Sequence, residues 1–314
     1  MKIKLSILVL VVAVFFISCN NPNPIDLSKN VVLRENWKLI LNDSPEKLTG
    51  EIISQKEYST QKWHNAVVPG TIAGSLVADS TIVDPYFGVN LKTIDSLQFT
   101  KPWWYRTTFI LNQDDINKSI SLRFNGINYR ANLWINGKRV VDKDKLAGAF
   151  NIFTFKINDY VRNGENVIAL EVWPPVPGDY TIGFVDWNPF APDKNMGIFR
   201  DVIIEINGGI KMRSPFVQSK VDKKNLDAAD LSLQVELENN TENPITGIVS
   251  VNYALGQLEQ TVTVQGGEML SCKFTPDQYP QLKVKNVKLW WPNGMGDPNL
   301  YDVDFKFIAD NNVL

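Results

Sequence analysis

Histidine and cysteine, the side chains most often used for nucleophilic and metal chemistry, are nearly absent from this 314-residue chain, which has only His64, Cys19 and Cys272. A zinc site draws on several His and Cys ligands at short spacing, and a Ser-His-Asp or Cys-His relay needs a positioned imidazole. Neither is supported, since His64, between Trp63 and Asn65, reads as an ordinary loop histidine. Cys272, in Ser271-Cys272-Lys273-Phe274, reads as a small, partly buried apolar residue. Asp142-Lys143-Asp144-Lys145 lacks the glycine and closing Glu of a calcium loop and reads as a solvated turn. No glycine-rich loop follows a strand in the manner of a phosphate cradle. These residues predict no metal and no cofactor.

What remains is a mixture of rings, amides and carboxylates between Trp173 and Met196. Irregular loops longer than about 12 to 15 residues are uncommon in compact domains unless they bind something or are disordered. Pro174, Pro175, Pro177, Pro189 and Pro192 lower the entropy lost on ordering. Tyr180, Phe184, Trp187 and Phe190 are expected to give the loop its own apolar packing. Sugar recognition uses such a mixture, with an aromatic face for the apolar side of a pyranose and carboxylates and amides for its hydroxyls. Asp186, Trp187, Asn188 and Asp193 supply those types. The competing reading makes Trp187 loop core and Asp186 or Asn188 a turn cap.

The elements that must hold this loop are strands. Ile120, Leu122 and Phe124 interleave with Ser121, Arg123 and Asn125, and Phe153, Phe155 and Ile157 with Thr154 and Lys156, the period of half-buried strands. Asn136-Gly137 predicts a tight type I′ hairpin, and Asn163-Gly164 precedes a strand from Val167 to Val172. Trp103 and Tyr105 share a strand face and are expected in the core. The best helical signal is short, with Thr71 as N-cap, Ile72, Leu76 and Val77 on one face, and an end near Asp79-Ser80. Asn207-Gly208-Gly209 marks a boundary. Beyond it, Leu231, Leu233, Val235 and Leu237 alternate with polar residues, as do Tyr301, Val303, Phe305 and Phe307. The fold class is therefore all-β, two antiparallel sandwiches in succession, the second of immunoglobulin-like size.

Three strings carry a family resemblance: FVDWNPFAPDKNMGIFRDV from Phe184 to Val202, VPGTIAGSLVADSTIVDPYFGVNL from Val68 to Leu91, and LWWPNGMGDPNLYDV from Leu289 to Val303. Together with PWWYRTTF from Pro102 to Phe109 they resemble glycoside hydrolase family 2, in its exo-β-D-glucosaminidase and β-mannosidase branch. Val83 stands where Pro commonly precedes the Asp-Pro pair of that branch. The resemblance implies a jelly-roll-like sugar-binding β-sandwich over residues 31–208, an immunoglobulin-like β-sandwich over 209–314, and a catalytic TIM barrel lying beyond this sequence. It implies that the Trp187 loop reaches a terminal sugar, that Asn90 contacts sugar hydroxyls, against the competing reading of a loop Asn that satisfies backbone groups, and that Trp290 and Trp291 pack where the second sandwich meets the barrel. A protonated amine suits a place beside Asp193 and over an aromatic face.

Lys2 and Lys4 followed by the apolar run Leu5 to Ile17 form a secretory signal over residues 1–18, too short to span a bilayer. Phe16-Ile17-Ser18-Cys19 resembles a lipobox, which makes Cys19 the lipidated N-terminus of an exported bacterial lipoprotein. Asn20 lacks the Asp-type retention signal, which favours the outer membrane, and residues 19–30 read as a solvated tether. Without Lys2 and Lys4 the chain has 30 basic against 34 acidic side chains, which gives no electrostatic reason to expect nucleic acid as a partner. The expected partners are a β-linked amino- or manno-oligosaccharide, the barrel, and a membrane through the lipid alone. Two readings follow: the non-catalytic N-terminal portion of a retaining exo-β-glycosidase, glucosaminidase or mannosidase, or a free-standing glycan-binding lipoprotein.

Overall fold

The computed structural model describes residues 25–26, 28–44, 48–181, 187–309 and 312–313; the signal segment, Cys19 and Asp186 lie outside them. Two sandwiches follow one another. In the first, a six-stranded sheet runs in the order His64–Asn65, Lys38–Leu41, Trp103–Leu111, Gly164–Trp173, Arg130–Ile135, Lys138–Val141. It faces a four-stranded sheet of Lys29–Val32, Val202–Asn207, Ser119–Phe124 and Phe153–Lys156. The period-two pattern sends Trp103, Tyr105, Leu133, Leu170, Leu122 and Ile204 into one core between the sheets. Asn136 and Gly137 take φ of 49° and 85°, the left-handed pair that a two-residue hairpin turn requires.

The six-stranded sheet is apolar on its outer face as well. Trp104, Trp134 and Ala169 point away from the main core and are covered by Ile53 and Trp63 of the segment before strand His64–Asn65. The short helix Gly50–Ile53 lies so close that a methyl on Gly50 would fall within the Trp134 indole. Arg106, on the same face, closes the helix end by donating from Nε to Ile53 O at 2.9 Å and from an Nη to Gln55 O at 3.0 Å. Beside these rings Glu171 is 8% exposed and accepts from Asn42 Nδ2 and Asn132 Nδ2, each at 2.7 Å.

The second sandwich packs Ile210–Val221, Ala228–Asn239 and Met269–Phe274, with Lys283–Lys285 on Ala228–Asn239, against Ile245–Tyr253, Gly256–Val264 and Val303–Ala309. Leu233, Val235, Leu237, Val249, Val251 and Phe307 form its core, and Cys272 is fully within it rather than at its margin. Asn207 and Ile210 end one sandwich and begin the next, and Lys156 Nζ donates to Asn240 O across the junction at 3.0 Å. Among the described residues the sheets stay open sandwiches and no helix is long and apolar enough to cross a membrane.

Three local expectations are corrected. Strand Lys29–Val32 pairs with Val202–Asn207, and Ile25–Asp26 pairs in parallel with Asn312–Val313, so part of the stretch read as tether takes ladder hydrogen bonds. His64 sits on a two-residue strand rather than in a loop, its Nδ1 3.0 Å from Asp79 Oδ2. Tyr301, the first member of an alternating run, falls outside its strand and uses its hydroxyl on the Lys288 backbone instead.

Candidate functional site

The predicted binding residues emerge from two loops joined by one helix. Ile72–Ala78 begins at Thr71, whose Oγ1 accepts from Gly74 N, and ends at Asp79, as the sequence predicts. At its C-terminal end the chain folds back, Thr81 N donating to Leu76 O at 2.9 Å, and enters the segment that carries Asn90. That segment closes on Asp84: Tyr86 N donates to Asp84 Oδ1, and Asn90 Nδ2 donates to Asp84 O, both at 2.9 Å. Asn90 is half-buried, its amide oriented by the loop, while Tyr86 and Phe87 stand exposed beside it.

The second loop descends to the helix's other end. Trp187 is 81% exposed in a turn, and Asn188 and Phe190 are exposed with it. The expectation that Tyr180, Trp187 and Phe190 fill the loop's own interior is not met: their rings face outward, and Tyr180 meets Phe150, centroid to centroid, at 5.5 Å. A strand end cannot bury three large rings without a covering element, and here the backbone is held by polar groups instead. Asn128, fully buried, donates from Nδ2 to Lys194 O at 3.0 Å and to Asn195 O at 2.8 Å, and its Oδ1 accepts from Thr181 Oγ1. Sequence reasoning missed Asn128, because nothing local marks an amide whose partners lie 66 and 67 residues away.

Asp193 is the main correction. Expected at the sugar, it is 1% exposed, with Oδ2 accepting from Ala73 N at 2.7 Å and Oδ1 from Asn195 N at 2.9 Å. Burial pushes its pKa above the ordinary carboxylate range, against the pull of those amides and of the Thr71 hydroxyl. Buried, with each oxygen already accepting a backbone N–H, this carboxylate is out of reach of a ligand amine. Its charge is felt at Tyr86, whose phenol is raised first by burial, then by Asp193 and Asp84. Tyr86 and Phe87 in the first loop and Trp187 and Asn188 in the second are exposed, and Asn90 is half-buried. Trp290, on the second sandwich, is more than half exposed, in a turn where Trp291 N donates to Asp297 O.

The arrangement is that of paired jelly-roll and immunoglobulin-like sandwiches with exposed rings and amides in two loops of the first. Residues 52–182 match the glycosyl hydrolase 2 galactose-binding domain-like family and residues 210–314 match glycosyl hydrolases family 2. The chain belongs to glycoside hydrolase family 2 and carries its N-terminal galactose-binding-like and immunoglobulin-like domains. It is 31% identical over 266 residues to an exo-β-D-glucosaminidase of Amycolatopsis orientalis, covering 84% of this chain and 25% of that protein. A mannosylglycoprotein endo-β-mannosidase of Lilium longiflorum is 30% identical, with 77% and 28% covered. The crystal structure of the Amycolatopsis orientalis exo-chitosanase superposes with a TM-score of 0.81 at 26% identity, over 91% of this chain and 32% of the other. This chain thus spans about a quarter to a third of the length of the relatives it matches.

Proposed function

We propose that these two sandwiches serve an exo-acting β-glycosidase of the glucosaminidase type, gripping the terminal sugar while a barrel outside them cleaves its bond. The observation that carries this reading is the similarity to exo-β-D-glucosaminidases from both bacteria and fungi, at 27–31% identity over three quarters or more of the chain. In a retaining double displacement one carboxylic acid protonates the leaving oxygen and one carboxylate attacks the anomeric carbon, about 5 to 5.5 Å apart. Both belong to the barrel in this reading. The two loops supply orientation: Trp187 presents a ring to the apolar face of the pyranose, and Asn90 and Asn188 present amides to its hydroxyls. Of the three carboxylates in the Trp187 loop, Asp179 is paired with Arg130 and Asp193 is spent internally, which leaves Asp186 for an ammonium group.

Full-length protein incubated with chitosan oligosaccharides is expected to release glucosamine and to leave β-mannosides intact. Mannose release without glucosamine would move the substrate to the mannosidase side, and release of neither would leave a glycan-binding protein without catalysis. The same protein is proposed to be an outer-membrane lipoprotein, on the strength of Lys2, Lys4, the apolar run Leu5 to Ile17 and Cys19. Incorporation of labelled palmitate that a Cys19→Ser variant loses is the expected result, and equal labelling of both would remove the anchor from this residue.

A further inference from the structure

We propose that Asp193 is a positioning residue that locks the Trp187 loop to helix Ile72–Ala78, and through that helix to the Asn90 loop, so that both meet a ligand as one rigid lip. The clamp rests on geometry alone; what the lip holds rests on the sugar-binding reading above.

Three connections make the lip continuous. At the helix start, Asp193 Oδ2 accepts from Ala73 N at 2.7 Å, while Met196 O and Ile198 O accept from Ile72 N and Gly70 N, each at 2.8 Å. At the helix end, Thr81 N returns to Leu76 O, and Asp79 Oδ1 accepts from Asn65 N at 3.1 Å, which fixes where the Asn90 loop departs. Inside the Trp187 loop, Lys194 and Asn195 take φ of 52° and 56°, a left-handed pair held by Asn128 and by Asp193 Oδ1. A loop that needed only its own shape could satisfy Asn195 with an Asx turn. The second oxygen reaches 120 residues back along the chain to a different element. That bond, with the Thr71 hydroxyl beside it, ties the Trp187 loop to the helix start through a buried side chain.

The test uses full-length protein and two readouts. Asp193→Asn removes a charge that burial disfavours and one of the two acceptors, so it is expected to fold; Asp193→Ser, which keeps a turn acceptor for Asn195 and loses the reach to Ala73, is the second variant. In both, backbone amides of residues 84–92 are expected to exchange with deuterium faster, together with those of 187–197. On p-nitrophenyl β-D-glucosaminide, KM is expected to rise roughly 5- to 20-fold while kcat stays within about twofold. Gly50→Ala is the control: it destabilises the first sandwich by driving a methyl into the Trp134 ring on the outer face, without touching the helix or either loop. It is expected to leave KM unchanged. Faster exchange confined to 187–197, or an equal rise in KM from Gly50→Ala, would overturn the clamp. Wild-type protein without glucosaminide hydrolysis would remove the functional reading, and the exchange of 84–92 would still decide the clamp.

Discussion

Glu171→Gln tests how the outer face of the six-stranded sheet is held. Glu171 offers one oxygen to Asn42 Nδ2 and the other to Asn132 Nδ2, both at 2.7 Å, while Asn132 Oδ1 accepts from Lys143 N at 2.7 Å, which fixes that amide's orientation. Glutamine can keep its oxygen on Asn132 Nδ2 and turn its NH2 to Asn42, whose Oδ1 is buried without a partner among the described residues and can accept once that amide flips. Two charge-assisted bonds become neutral ones, a loss of about 1 kcal/mol each. Relief from burying a full charge offsets part of this, so a net cost of about 1 kcal/mol is expected. For a sandwich of this size that lowers the melting midpoint by roughly 2–4 °C, measured by calorimetry on the intact chain. Glu171→Leu strands both amides and is expected to cost more. A shift below about 1 °C for Gln, or a leucine variant more stable than the glutamine one, would show that the carboxylate is a burden the amides do not relieve.

Gly50→Ala forces a methyl against the Trp134 ring and is expected to cost about 1–3 kcal/mol, read as a lower denaturant midpoint with an unchanged slope. Trp187→Ala, at an exposed position, is expected to move stability by no more than about 0.5 kcal/mol. It is expected to weaken glucosaminide affinity roughly 3- to 10-fold, and a large loss of stability with no loss of affinity would make the ring structural. Asp79 is held below the ordinary carboxylate range, first by the Asn65 backbone N–H, with His64 and Thr81 adding to it. Its contribution is therefore present above the unfolded value, near ~3.9, and lost as pH falls through the lowered folded one. Asp79→Asn is expected to flatten the acid limb of the melting curve in that window and to leave the basic side unchanged.

What the sequence showed of the fold was whatever short-range chemistry determines. Asn136-Gly137 dictates its hairpin because few other pairs accept two positive φ values in succession, and Thr71 caps its helix because its hydroxyl needs only the third amide along. Alternation located the strands and their inward faces, as with Leu233, Val235 and Leu237. It failed where partners lie far apart in sequence. Nothing near Ile25 announces a bridge to Asn312, and nothing near Trp104 shows that a segment ending at Trp63 covers the face opposite the main core.

The candidate site was legible by chemical type and illegible by depth. Trp187, Asn188 and Asp193 stand out because rings, amides and carboxylates suit a sugar, Asn90 by the family resemblance, and the structure sends the first two toward solvent, leaves Asn90 half-buried and turns Asp193 inward. The difference lies in what each costs to bury. An indole at a loop tip needs a covering element to lose its water, and among the described residues none arrives at Trp187. A carboxylate needs several donors, and the start of a helix beside a left-handed turn provides Ala73 N and Asn195 N at hydrogen-bonding distance. Aspartate's short side chain then makes burial a local certainty once the loop meets the helix, although the helix lies 120 residues away in sequence. A ligand amine would have to compete with two well-placed amides for Asp193, so affinity for an amino sugar should depend on Asp193 only through the loops it holds.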